Sequence, residues 1–319
     1  MIMIINEFFS NNKYIVLPSH KKPKVFLAVD NALITDNSFK LYNPFSKKAK
    51  FLKNFVFQIL PLIRPFLNRK KRGGFIEFLE NEFKKPLVSS VYIATDNNKV
   101  VLQLQNNESL GYVKVPLNEE GEKNIINEIK AYEILKEKEI LNYKFLPLKY
   151  NKKNCLFIEN IKGHSRFIPI DLEFEFLNKL KRGKKYMLNK HPRIKNLLEN
   201  SEEWIRKLIL QIMNNSKNEY ELVYEHGDFA PWNIKLKNNK FYIFDFEYFE
   251  EEGVEYFDFI KYYYQYLKLL ENKQINEIYK FLKKRFNIPK EIFDLFVIKE
   301  YLQEKGEIEL KYLKGINGK

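Results

Sequence analysis

The stretch His226-Gly227-Asp228-Phe229-Ala230-Pro231-Trp232-Asn233 constrains this chain more than any other. Asp245-Phe246-Glu247 follows it, closing the apolar run Lys240-Phe241-Tyr242-Ile243-Phe244. Residues 234–237 and 240–244 read as short strands. Asn238-Asn239 between them is a turn pair, because Asn tolerates positive φ. A hairpin of this kind brings Asn233, at its entry, beside Asp245, at its exit. Both offer oxygen, the donor a hard cation requires. Asp228 adds a carboxylate able to accept a hydroxyl proton. A polar loop with Asp228 capping a turn would account for a lone Asp, but not for three elements in this order.

His-Gly-Asp, an Asn five residues after the Asp, and Asp-Phe-Glu after an apolar strand resemble the aminoglycoside phosphotransferase and choline kinase branch of the protein-kinase-like fold. The resemblance covers residues 86–270. It implies an α+β, bilobal protein-kinase-like fold, with a small β-rich N-lobe and a larger helical C-lobe. Residues 1–85 would be an N-terminal extension, 86–160 the small lobe, and 161–319 the helical large lobe with the catalytic loop. It further implies ATP, with GTP as the alternative nucleotide, and Mg. The γ-phosphoryl group would pass to a hydroxyl of a small molecule or glycan precursor. Asp228 would be the catalytic base, Asn233 and Asp245 the metal ligands, and His226 an orienting residue of the loop. The rival is a catalytically inactive kinase-like module that binds nucleotide or acts as a scaffold. The intact Asp228, Asn233 and Asp245 set argues against it.

Upstream, residues 88–94, 99–105 and 110–115 are rich in β-branched and aromatic residues and are separated by Asn-rich turns, so they predict a three-strand meander. The third contains Gly111-Tyr112-Val113-Lys114-Val115, which resembles the kinase Val-Ala-Ile-Lys element. Residues 119–138 carry Ile125, Ile129, Tyr132 and Leu135 at helical spacing. By the resemblance, Lys114 reaches the α- and β-phosphates and Glu128 on that helix holds it there. Residues 145–150 and 155–159 predict a hairpin. Beyond it, backbone groups from Glu159 to Ile161 occupy the place of the adenine-binding hinge. The first meander turn, Thr95-Asp96-Asn97-Asn98, has no glycine, and its carboxylate would repel phosphates.

Charge directs attention to the N-terminal zone. The net charge is +14, which favours polyanionic neighbours, although lysine spread along the chain explains most of it as solvated surface. Charge is the only support for nucleic acid, so that partner is not expected. Residues 55–67 are apolar and lie between Lys47, Lys48, Lys50, Lys53 and Arg69-Lys70-Lys71-Arg72. This segment reads either as a helix packed on its neighbour with solvated ends or as a peripheral contact of residues 47–72 with an anionic membrane. Met1-Ile2-Met3-Ile4-Ile5 has no basic residues before it and is not expected to be a secretory signal. The single cysteine, Cys155, rules out a disulfide framework within the chain. This fits a reducing cytoplasm, and the expected setting is cytoplasmic, with the inner face of the membrane as a peripheral site.

The remainder predicts helices: one long amphipathic helix over 193–214, then 257–270, 275–286 and 290–313, the last two separated by Pro289. Asp258 is expected to brace the catalytic loop. Phe167, Phe174, Phe176 and Tyr186 could line an acceptor pocket or simply pack. His20, His164 and His191 have no spaced partner that would make them chemical.

Overall fold

The computed structural model describes all residues except 1–4, 20, 43–46, 95–97, 142, 164–169, 239 and 318–319, with backbone only at 47, 170–174 and 317. The chain divides into two compact units, residues 1–162 and 163–319.

The first unit is built on a seven-stranded sheet in the order β1-β2-β3-β4-β5-β7-β6. Its strands are β1 Tyr14–Ser19, β2 Lys22–Ala28, β3 Val88–Ile93, β4 Lys99–Asn106, β5 Glu108–Pro116, β6 Phe145–Tyr150 and β7 Lys153–Glu159. Every pairing is antiparallel. Residues 1–85 thus contribute two strands to the same sheet, with Val25 opposite Tyr92 and Phe26 opposite Val91. Side chains alternate across a strand, and in β1 and β2 both sets are apolar. Tyr14, Phe26 and Ala28 join one core with Phe75, Ile76 and Leu79 of the helix Gly74–Phe83. Ile15, Leu17, Val25 and Leu27 join a second core, covered by Leu60, Val56 and Ile63 of the helix Lys47–Ile63. Tyr14 fastens the added strands to β3: its hydroxyl donates to Ser89 O at 2.9 Å and accepts from Ser10 N at 3.0 Å. Burial pushes that hydroxyl up to about 12.

The helix Glu119–Glu137 starts where Asn118 accepts from Gly121 N at 2.9 Å and where three glutamates crowd the first turn. Both features suit a helix N-terminus.

The second unit is mainly helical. It also holds the three-stranded sheet β12-β9-β8 and the hairpin β10-β11. The strands are β8 Lys181–Met187, β9 Glu219–Glu225, β10 Ile234–Lys237, β11 Lys240–Ile243 and β12 Glu250–Val254. The three-stranded sheet was not expected from the sequence. The single helix expected over 193–214 is two, Pro192–Glu199 and Glu203–Asn215. Between them Asn200 Nδ2 donates to Asn196 O at 2.9 Å and Ser201 Oγ to Leu197 O at 2.5 Å. These side chains satisfy the last carbonyls and so end the first helix. The helix expected over 290–313 likewise divides into Lys290–Glu304 and Glu307–Asn317. Lys305 there adopts φ 53°, a left-handed cap, just before Gly306. Among the described residues, no helix is long and apolar enough to cross a membrane.

Candidate active site

β9 ends at Glu225 and leads directly into the His226-Gly227-Asp228 loop. Gly227 has φ +82°, and a Cβ there would lie 2.1 Å from Tyr248 O, so only glycine fits. The loop's amides are gathered by one buried carboxylate. His226 N donates to Asp258 Oδ2 at 2.7 Å and Gly227 N to Asp258 Oδ1 at 3.0 Å. Asp258 lies in the first turn of the helix Phe257–Leu269. Burial and the neighbouring Glu225 push its pKa up to about 7, against the pull of the two amides and Lys299. Lys299, in the helix Lys290–Glu304, donates to Gly227 O at 2.8 Å and approaches Glu225 Oε1 at 3.4 Å. The loop is therefore bracketed from two helices by groups of opposite charge.

The ring of His226 is committed on both sides. Nε2 lies 2.9 Å from Phe244 O, and Asp228 N donates to Nδ1 at 3.2 Å. A carbonyl only accepts, so Nε2 carries the proton and Nδ1 the lone pair. His226 ties the loop to the end of the hairpin and has no nitrogen left for a reacting proton.

Asp228 is half-buried and holds distinct neighbours on its two oxygens. Oδ2 accepts from Asn233 Nδ2 at 3.0 Å, and Oδ1 is 3.3 Å from Lys261 Nζ. Asn233 Nδ2 also donates to Asp228 O at 2.9 Å. With both amide protons directed at Asp228, the Asn233 oxygen is the side of the group available to a cation. Lys261 is 1% exposed and also bonds Glu300 Oε2 at 2.6 Å, with Glu304 at 3.7 Å. Burial opposes its charge, but Glu300 and then Asp228 outweigh that and raise its pKa.

The hairpin pairs Ile234 with Ile243 and Lys237 with Lys240, with Asn238 at φ 51° in its turn. Phe244 N donates to Asn233 O at 2.9 Å, so Asn233 and the residue before Asp245 are joined across the open end. Asp245 itself is half-buried with φ 71°. Asp is among the residues that tolerate this conformation, and such positions cluster at functional sites. The donor set, one carboxylate and one amide oxygen, fits Mg²⁺. That ion commonly takes one or two protein ligands and completes its shell with water and phosphate oxygens. Among the described residues there is no cluster of three or more His, Cys, Asp or Glu that could hold an ion by themselves.

In the first unit, Lys114 on β5 points at Glu128 of the helix Glu119–Glu137. Nζ bonds Oε1 at 2.8 Å and Oε2 at 2.6 Å, and Tyr132 OH adds 3.2 Å to Oε1. Both partners are buried. A buried pair is costly to desolvate and is weak evidence for stability, which directs attention to a role for the ammonium. Ile161 is buried and Glu159 half-buried at the end of β7. Glu159 is engaged by Lys144 on both its N–H (3.0 Å) and its carboxylate (2.8 Å).

Sequence reasoning did not find Lys261, Lys299 or Glu300. The signal available was charge inside apolar helices: Lys261 sits within Phe257-Asp258-Phe259-Ile260-Lys261-Tyr262-Tyr263-Tyr264, where a solvated lysine has no place. Of the aromatic pocket candidates, Phe176 is buried and stacks on Phe229 at 6.0 Å, as core. Tyr186 meets His191 edge-on. Phe167, His20, His164 and residues 95–97 lie outside the described residues, as does the Phe174 side chain.

No protein-family model matches the chain, and no curated protein matches it. Solved structures similar to it include aminoglycoside phosphotransferases and related kinases. One is an aminoglycoside phosphotransferase in ternary complex with streptomycin and ATP, 15% identical, TM-score 0.45, covering 76% of this chain and 94% of that one. A thermostable mutant of a second aminoglycoside phosphotransferase is 9% identical, TM-score 0.47, covering 76% and 97%. A spectinomycin phosphotransferase with ADP and spectinomycin is 13% identical, TM-score 0.41, covering 75% and 91%. Identities of this size concern the fold alone. The chain itself has a β-rich part followed by a mainly helical part, the order expected for an α+β, protein-kinase-like fold.

Proposed function

We propose that the chain is a phosphotransferase that moves the γ-phosphoryl group of ATP, or of GTP as the alternative, to a hydroxyl of a small molecule or glycan precursor. The observation that supports this most is Asn233. Its side-chain amide donates to Asp228 at 3.0 Å while its backbone carbonyl receives Phe244 N–H at 2.9 Å, so one residue links the base to the strand that delivers Asp245.

In this reading Asp228 accepts the hydroxyl proton of the acceptor. Lys261 and Asn233 fix the plane of its carboxylate, so that the acceptor meets an oriented group. Asp245 and Asn233 hold Mg²⁺, which supplies neutralisation of charge on the nucleotide phosphates. Lys114, fixed by Glu128, bonds the α- and β-phosphates. The backbone near Glu159 and Ile161 meets the adenine. Positioning and electrostatics then carry most of the rate, as is general for this chemistry. A cytoplasmic setting suits the buried, lone Cys155. Peripheral membrane contact through residues 47–72 is a separate proposal with separate support.

The test is nucleotide-dependent thermal stabilisation with and without Mg²⁺, followed by ADP release across sugars, aminocyclitols and other polyols. Stabilisation by Mg·ATP or Mg·GTP is expected, since a ligand that binds only the folded state raises its melting temperature. No shift with either nucleotide would defeat the reading.

A further inference from the structure

The helix Lys47–Ile63 is apolar on two sides. Val56, Leu60 and Ile63 face the core of β1 and β2. Phe51, Phe55 and Leu62, at spacings of four and seven, line the opposite side. They are 73%, 49% and 74% exposed, and Phe66 in the following 3₁₀ turn is 85% exposed. The Phe51 and Phe55 rings lie parallel, 6.4 Å apart, in solvent. A helix whose outer face met only water would place polar residues there.

The charge of the same segment is one-sided. Residues 47–72 hold nine Lys or Arg and no Asp or Glu, against a net charge of +14 for the whole chain. Arg69 and Arg72 are partly neutralised by Asp30 at 2.8 Å and Glu80 at 3.1 Å. Lys48, Lys50, Lys70 and Lys71 are exposed.

We infer that this face docks on an anionic phospholipid surface, with Phe51, Phe55, Leu62 and Phe66 entering the boundary between headgroups and acyl chains and the four lysines meeting lipid phosphates. The combination identifies the partner. Lysine is depleted at protein–protein interfaces, whereas helices that lie on membranes pair lysine with Phe and Leu. The inference does not depend on the phosphotransfer reading, because none of these residues belongs to that site.

The test is co-sedimentation of the full chain with vesicles of phosphatidylglycerol and phosphatidylcholine, and with phosphatidylcholine alone. Binding to the anionic vesicles is expected, falling by about tenfold or more between about 0.05 M and about 0.5 M salt. The combined variant Phe51→Ser, Phe55→Ser, Leu62→Ser, Phe66→Ser should keep its thermal midpoint and lose binding by about tenfold or more. Lys48→Glu, Lys50→Glu, Lys70→Glu, Lys71→Glu together should remove the preference for anionic lipid. The inference is overturned if the native chain does not sediment, or if both variants sediment as it does. It is equally overturned if the native chain is a dimer that the Ser variant converts to monomer, which would make the face a contact between copies.

Discussion

Lys261 Nζ lies 3.3 Å from Asp228 Oδ1 and only 1% of the Lys261 side chain reaches solvent. The ammonium is therefore a fixed part of the surroundings of the His226-Gly227-Asp228 loop. With Asn233 on Oδ2, it sets the carboxylate plane from both ends. Glu300, 2.6 Å from the same ammonium, is buried as well.

Lys261→Gln is expected to slow turnover by about 10²-fold while leaving the KM for nucleotide unchanged, the pattern of a displaced reacting group. It should also destabilise the fold, because the buried Glu300 then keeps only its longer contact to Lys299, at 3.4 Å. Adding Glu300→Gln should return much of the stability but not the rate. Recovery of both together would make Lys261 purely structural.

Asp228→Asn should leave nucleotide binding nearly intact and slow transfer by about 10²–10⁴-fold, the usual range for loss of a general base. The comparison is single-turnover transfer against nucleotide affinity by calorimetry. A matching loss in both would assign Asp228 to the architecture of the loop.

Asp245→Asn should abolish the Mg²⁺-dependent part of nucleotide stabilisation with little loss of fold, since an amide is a poor substitute for a carboxylate at this ion. Mg·ATP affinity that survives the change would remove Asp245 from the metal site.

The hairpin that joins these residues was legible because its determinants are local: two short apolar runs and an Asn turn, with Asn238 indeed at positive φ. The meander of β3, β4 and β5 and the helix bearing Glu128 were legible for the same reason. What was hidden depends on partners far along the chain. Lys261 meets Glu300 across 39 residues and Tyr14 meets Ser89 across 75, and no periodicity encodes such pairings. β8 was hidden differently. Its sequence Lys181-Arg182-Gly183-Lys184-Lys185-Tyr186-Met187 is mostly exposed, so it carries no alternation of apolar and polar residues to read. The break at Asn200-Ser201 was visible as composition, but the apolar stripe running past it dominated the reading.

Lys114→Met should weaken nucleotide binding and, by leaving the buried Glu128 carboxylate with the Tyr132 hydroxyl but no cation, destabilise the fold by roughly 3 kcal/mol. The double change Lys114→Met with Glu128→Leu should restore stability while nucleotide affinity stays low. Affinity that returns with stability would show that Lys114 serves only the packing of its helix.

His191 offers a test by pH. It is fully buried, and burial draws its pKa down from 6.5 to about 4, opposed by Glu225 and aided by Arg193. The neutral ring is the form the fold accepts, so below pH 6.5 the unfolded chain takes up a proton that the folded chain does not. Stability from this group is full above the unfolded value and is lost as pH falls through about 4. A displacement from 6.5 to about 4 corresponds to about 3 kcal/mol at most. His191→Asn removes the titration but not the acidic residues around it, so the difference between native and variant isolates the ring. Urea unfolding of both proteins from pH 8 to pH 4 should show the native advantage shrinking by up to about 3 kcal/mol across that window. Parallel curves for the two proteins would mean that His191 titrates alike in the folded and unfolded chains.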